Sequence, residues 1–217
     1  MNIEQARTNM ITQQLHTWGV LDPTVLELFA KVPRELFVPI EYKNLAFADT
    51  SIPIGHDQMM LTPTEEARIM QAVAVQPEEH VLEIGTGSGY MTALLAKLAK
   101  HVDSVDIFAE FTAAAQAKFT SLKIRNVTLD TADAASGWSM QPEYDVIVIT
   151  GSLPFLPEYF RKILKRGGRL FAILGAAPAM EAMLFKQDER GFWQEQKIFE
   201  TVVQPLINAQ QNTGFVF

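Results

Sequence analysis

The residues best suited to chemistry gather in a few short stretches. In VLEIGTGSGY, glycines at 85, 87 and 89 follow an apolar run from Val81 to Ile84, and Leu94, Leu95 and Leu98 then mark a helical face. Glycines at such a junction let the chain turn sharply and let a ligand reach the backbone where a Cβ would block it. The next apolar run, VDSVDI, ends on Asp106, where a carboxylate can accept hydrogen bonds from both hydroxyls of a ribose. Asp133, after NVTLDTA, is either a contact for an adenine amino group or an N-cap or loop carboxylate. A dinucleotide turn reads G-x-G-x-x-G and aims helix amides at a pyrophosphate. Here the spacing is G-x-G-x-G, with Glu83 two residues before Gly85. Such a carboxylate repels a pyrophosphate and suits a ligand carrying an ammonium and a sulfonium, as S-adenosyl-L-methionine does. A solvated strand-end charge is the alternative for Glu83, and a tight turn without ligand the alternative for the glycines.

A second group lies in GHDQMMLTP, residues 55–63. His56 either orients this loop or contacts substrate, and Gln58 belongs to the same polar half. Met59, Met60 and Leu61 either line a pocket for an apolar acceptor or pack ahead of the next helix. Thr62, Pro63 and Glu65 spell a capping box, so Thr62 serves as an N-cap unless its hydroxyl faces a substrate.

The elements that must hold these residues follow from the pattern of the chain. Residues 3–18 read as a helix ended by Gly19, and Asp22 with Pro23 opens a second through Val25, Leu26, Leu28 and Phe29. After them VPRELFVPIEYKNLAFADTSIPIG is rich in proline and aromatics without a clear period and reads as extended, irregular chain lying over another part of the molecule. From residue 62 onward short apolar runs alternate with helical stretches: HVLEIG, VDSVDI, NVTLDTA, YDVIVIT and GGRLFAILG. That alternation predicts an α/β fold, a mostly parallel central sheet with helices on both faces. After Gly175 two strands around a turn at Asp188 to Gly191 predict an antiparallel C-terminal edge, with Phe192 and Trp193 as strand packing. No linker or repeat divides the chain, so residues 1–217 are expected to form a single domain, 1–61 its extension and 62–217 its core.

Composition narrows the partners. A chain of 217 residues, 48% hydrophobic, buries a core of its own, and a formal charge of −7 argues against a general grip on nucleic acid or an anionic membrane. The absence of cysteine removes thiolate nucleophiles, disulfides and sulfur-based zinc sites, and no metal site is expected. No signal peptide or run of roughly 18 apolar residues is present, so a cytoplasmic, soluble protein is the expectation.

VLEIGTGSGY, SVDI, YDVIVIT and LKRGGRLFAILG together resemble a class I S-adenosylmethionine-dependent methyltransferase. More narrowly, RTNMITQQLHTWGVLDPTVLELFAKVPRELFVP and ADTSIPIGHDQ resemble the protein-L-isoaspartate O-methyltransferase family, which repairs isomerised aspartyl residues. The resemblance spans residue 7 to Leu206 and implies a Rossmann-like fold. It implies S-adenosyl-L-methionine as cofactor, with contacts at Glu83, Gly85, Thr86, Gly87, Ser88, Gly89, Asp106, Ile107, Asp133, Ala134 and Thr150. It also implies isoaspartyl proteins or peptides as partners. The family continues its glycine-histidine loop as Gly-Gln-Thr-Ile-Ser, whereas this chain has Asp57, Met59 and Leu61 where the family has the glycine, the threonine and the serine. Ala132 and Ala134 flank Asp133 in place of glycines, and Ile207 replaces a threonine near the expected substrate channel. Met59, Met60, Thr62 and Ile207 are therefore the candidate substrate residues. A carboxylate acceptor is ionised at neutral pH, so transfer to it needs no general base, only alignment and exclusion of water. The missing hydroxyl leaves two alternatives to isoaspartate repair: a different acceptor, such as a small apolar molecule, or a cofactor-binding paralogue without catalysis.

Overall fold

The computed structural model describes residues 2–138, 143–188 and 190–210. Glu189 of the expected turn, and residues 211–217 of the expected core, lie outside the described residues. The chain opens with α1 (Ile3–Asn9), capped by the Asn2 side chain. It continues not as α-helix to residue 18 but as a π-helical stretch, Met10–Leu15, within which Met10 and Leu15 are both buried. The Thr8, Thr12 and Thr17 hydroxyls donate to carbonyls four residues back, which competes with regular helical pairing there. Helix α2 (Pro23–Lys31) starts where the Asp22 side chain accepts from the Thr24 amide at 2.8 Å. The proline-rich stretch that follows is not extended: it makes two 3₁₀ turns, Arg34–Leu36 and Ile40–Leu45.

GHDQ is a hairpin. Strand β1 (Ile52–Gly55) pairs antiparallel with β2 (Gln58–Met60), Gly55 facing Gln58. The two intervening residues, His56 and Asp57, have φ of 51° and 55°, the paired left-handed geometry of the tight hairpin turn. Helix α3 (Pro63–Val73) carries both bonds of the capping box: the Glu65 amide donates to Thr62 Oγ1 and the Thr62 amide to Glu65 Oε2. The Thr62 hydroxyl is thus the cap, one of the two roles open to it.

The core continues as β3 (His80–Ile84), α4 (Tyr90–Leu98), β4 (His101–Asp106), α5 (Ala109–Leu122), β5 (Val127–Thr131), β6 (Tyr144–Leu153), α6 (Glu158–Lys162), β7 (Leu164–Ala176), β8 (Ala179–Gln187) and β9 (Trp193–Thr201). The sheet order is β5-β4-β3-β6-β7-β8-β9. The first five strands run parallel, and β8 and β9 add the antiparallel edge. Alternate side chains of β6 and β7 feed the two faces: Val146, Val148, Phe171 and Ile173 join a core with α2 to α5, while Ile147, Ile149, Leu170 and Ala172 meet Phe160 of α6. Trp193 packs partly against the second core, with the Arg161 guanidinium over its ring, whereas Phe192, expected to pack, is 68% exposed. None of the helices among the described residues is long and apolar enough to cross a membrane.

Candidate active site

Between β3 and β6 the connections change direction, one set leading outward to β4 and β5 and the other to β7. In open α/β sheets such a point leaves a crevice beyond the strand ends. A cavity of about 530 Å³ opens there, within the usual range for a small-molecule site. Its floor is the turn from Ile84 to Ser88 and the end of β4. The hairpin residues Gln58 to Leu61 form one lip, and the segment Val202 to Ile207 forms the other. That segment folds back after β9 because Ser152 donates to the Gln204 carbonyl and accepts from the Leu206 amide, both at 3.0 Å.

The glycines have different reasons to be glycine. A Cβ on Gly85, at φ +100°, would lie 2.4 Å from Thr150 Oγ1, and one on Gly89 would lie 3.0 Å from the Ala115 side chain. Those two permit close packing of the turn on β6 and α5. Gly87, at φ +50°, meets only Ile54 of the opposite lip, so its backbone faces the cavity, as a ligand cradle requires.

Asp106 sits at the cavity floor, its Oδ2 accepting from the Gly87 amide at 2.8 Å and its Oδ1 from the Phe108 amide at 3.0 Å. Burial pushes its pKa up, and the amide bonds of Gly87, Phe108 and Ile107 oppose that rise. The carboxylate keeps acceptor capacity toward the cavity. Asp133 also lines the cavity, with Oδ1 held by the Ala135 amide and Oδ2 by Asn208 Nδ2 at 2.8 Å. Thr150 lines it too, its hydroxyl directed at the Ile84 and Gly85 carbonyls.

Of the expected site residues, Gly85, Thr86, Gly87, Ser88, Asp106, Ile107, Asp133, Ala134, Thr150, Gln58, Met59, Met60, Leu61 and Ile207 line this cavity. Glu83, Gly89, His56 and Thr62 do not. Glu83 is fully buried behind the turn, where its Oε2 accepts from the hydroxyls of Ser104 and Thr92. Burial pushes its pKa up to about 8, the two hydroxyls opposing. The electrostatic role expected of Glu83 falls instead to Asp106 and Asp133, since Glu66, the third carboxyl group of the lining, is engaged by Arg34, and the described lining has no Lys, Arg or His. Such a cavity favours a cationic ligand over a pyrophosphate. His56 orients the lip: its ring stacks on Phe108 with centroids 4.2 Å apart and meets Phe111 edge-on. Met60 is packed, whereas Met59 is half-buried at the lip.

Sequence reasoning missed Arg34, Glu66 and Asn208. Arg34 is 1% exposed, and its guanidinium donates to Glu66 Oε2 at 3.0 Å, to the Ala46 carbonyl at 3.2 Å and to the Leu61 carbonyl at 2.5 Å. One side chain thereby joins α3, the N-terminal extension and the lip. The available signal was a charged pair, Arg34 and Glu35, set inside the otherwise apolar VPRELF. Burial pushes Glu66 up to about 8 against the pull of Arg34.

Fold and site together define a Rossmann-like methyltransferase, with the cavity at the switch point of its sheet. The sequence model of the family Protein-L-isoaspartate(D-aspartate) O-methyltransferase (PCMT) matches residues 5–211, and the chain belongs to that family. Protein-L-isoaspartate O-methyltransferase 1 of Anaeromyxobacter sp. (strain Fw109-5) is 38% identical over 174 residues, 80% of this chain and 82% of the relative. The Protein-L-isoaspartate O-methyltransferase of Pseudomonas paraeruginosa (strain DSM 24068 / PA7) is 34% identical over 211 residues, 96% of this chain and 99% of the relative. A solved structure described as a beta-aspartate methyltransferase (PCMT) from Plasmodium falciparum, in complex with S-adenosyl-L-homocysteine, superposes with a TM-score of 0.77 at 18% identity. It covers 95% of this chain and 98% of that one, and supports the fold.

Proposed function

We propose that this chain transfers a methyl group from S-adenosyl-L-methionine to the free carboxylate of L-isoaspartyl residues in damaged proteins, leaving S-adenosyl-L-homocysteine. What supports this most is a cavity that combines the open backbone at Gly87, the Asp106 carboxylate and an acidic, cation-free lining in a chain of this family. The residues fit the cofactor: Asp106 would take the ribose hydroxyls, Asp133 and Ala134 the adenine end, and Gly85 to Ser88 with Ile107 and Thr150 the remaining wall. The bound cofactor supplies an electrophilic methyl on a sulfonium. The chain's own residues align the acceptor and keep water out. The acceptor is already ionised, so no base is required. Met59, Leu61 and Ile207 surround the lip with apolar surface that strips water from the nucleophile. Arg34 and His56 hold the lip in place from outside the cavity.

The apolar lip also favours a second reading, transfer to a less polar acceptor, because Leu61 stands where the family's serine hydroxyl would meet substrate. We further place the chain in the cytoplasm as one methyltransferase domain with residues 1–61 as its extension, acting on protein or small-molecule acceptors rather than nucleic acid or membrane. The acidic composition and the lack of cysteine support this. The test is methyl transfer to an isoaspartyl peptide beside its aspartyl twin. Base-labile methyl ester on the first alone is expected. Cofactor binding without ester on either peptide would remove the repair assignment.

A further inference from the structure

At the opposite end of the sheet from the cavity, the first residues of β3 and β4 carry a cluster that methyl transfer does not use. His80 and His101 are register partners on the parallel pair, and Asp103 lies two residues along β4 on the same face. One carboxylate serves both rings: His80 Nε2 lies 3.2 Å from Asp103 Oδ2, and His101 Nε2 lies 3.2 Å from Asp103 Oδ1. The three potential donor atoms all fall within 4.8 Å of one another. His80 Nε2 is buried and makes no hydrogen bond. The Asp103 carboxylate is oriented from behind by the Tyr144 hydroxyl, which donates to Oδ2 at 2.9 Å.

We infer that His80, His101 and Asp103 form a binding site for a divalent late transition metal of the zinc class. Two imidazoles and one carboxylate are a recurring donor set for such ions. With metal–ligand bonds of roughly 2.0 to 2.1 Å, tetrahedral donors stand about 3.3 Å apart; each ring nitrogen lies 3.2 Å from a different oxygen of Asp103, so an ion between the rings would take that carboxylate through both oxygens. A carboxylate ligand fixed by a second hydrogen bond, as Tyr144 fixes Asp103, is the usual outer support of such a site. The Thr128 hydroxyl hydrogen-bonds His101 Nε2 at 2.9 Å, a contact that a metal ion at that nitrogen would replace, and a water would complete the set. Lys165 acts on His80 as a nearby cation, and Asp145 engages it at 2.8 Å. A bound ion would clamp the starts of the two strands whose far ends carry the glycine turn and Asp106.

The untagged full chain, freed of metal by a chelator and titrated with zinc chloride in a calorimeter, tests this. One equivalent is expected to bind with a micromolar Kd, and a hundredfold excess over Kd should raise the melting midpoint by roughly 5 to 11 °C. H101A should weaken binding at least tenfold, while H16Q should leave it unchanged. In proton spectra of the unaltered chain, zinc should shift the ring resonances of His80 and His101 and not those of His16 or His56. That measurement decides the matter even where H101A fails to fold. No heat at millimolar zinc, full binding by a folded H101A, or shifts at His16 and His56 instead would each overturn the site. Cofactor binding is independent of all of these outcomes.

Discussion

Replacing Glu83 with glutamine is expected to leave stability nearly unchanged at pH 5 and to raise it clearly at pH 8.5. The carboxyl group is fully buried, with Oε2 taking the Ser104 and Thr92 hydroxyls and Oε1 without a partner. Burial pushes its pKa from 4.5 up to about 8. Between those values the folded chain keeps a proton that the unfolded chain has released, so stability falls as pH rises, at about 1.4 kcal/mol per unit. Over the whole interval the loss is ~5 kcal/mol as an order of magnitude, complete once the pH passes the folded value. Glutamine does not ionise and escapes it. Its carbonyl can accept the same two hydroxyls, and its NH₂ takes the place of the acid's O–H, which is why little change is expected at pH 5. Glu66 titrates in both proteins, so the difference between them isolates Glu83. Urea unfolding followed by circular dichroism at pH 5, 7 and 8.5 gives the comparison. If the advantage of glutamine shrinks or reverses as pH rises, Glu83 is ionised in the folded chain and the reasoning fails.

Asp106→Asn removes a charged acceptor worth about 1.5 to 3 kcal/mol, so the Kd for S-adenosyl-L-homocysteine should rise roughly ten- to a hundredfold by calorimetry; an unchanged Kd would place the ribose elsewhere. Leu61→Ser returns a hydroxyl to a lip whose backbone Arg34 already holds, and kcat/KM for an isoaspartyl peptide should rise by roughly a hundred- to a thousandfold, by analogy with the worth of one positioned donor. No gain would show that the leucine does not limit the reaction. Arg34→Lys cannot reproduce three guanidinium bonds and leaves Glu66 poorly paired, at a cost of roughly 3 kcal/mol and a Tm lower by roughly 6 to 12 °C. A Tm within 2 °C of the parent, a change under about 1 kcal/mol, would contradict that network's importance.

The sheet was readable because each strand is an apolar run bounded by glycine or charge, and its position is settled locally; the unbroken run from Val146 to Ile149 is that of a strand buried on both faces. The Thr62 cap was readable for the same reason, since both its bonds join residues three apart. The hairpin at His56 and Asp57 escaped because neither residue is glycine, yet both occupy left-handed backbone. Glu83 was misplaced because a strand end offers two faces and the sequence does not say which one the glycine turn leaves exposed. Arg34, Glu66 and Asn208 depend on partners at least 12 residues away, as from Arg34 to Ala46, and as many as 75, as from Asn208 to Asp133. Burial of a charge is decided by such distant contacts, and no local pattern announces it.

Isoaspartate repair itself is tested most directly by incubating the chain with methyl-labelled S-adenosyl-L-methionine and two peptides that differ only in one isoaspartyl or aspartyl residue. Base-labile label confined to the isoaspartyl peptide, and lost on hydrolysis of the ester, is the predicted result. Equal label on both peptides, or none on either while the cofactor binds, would contradict it.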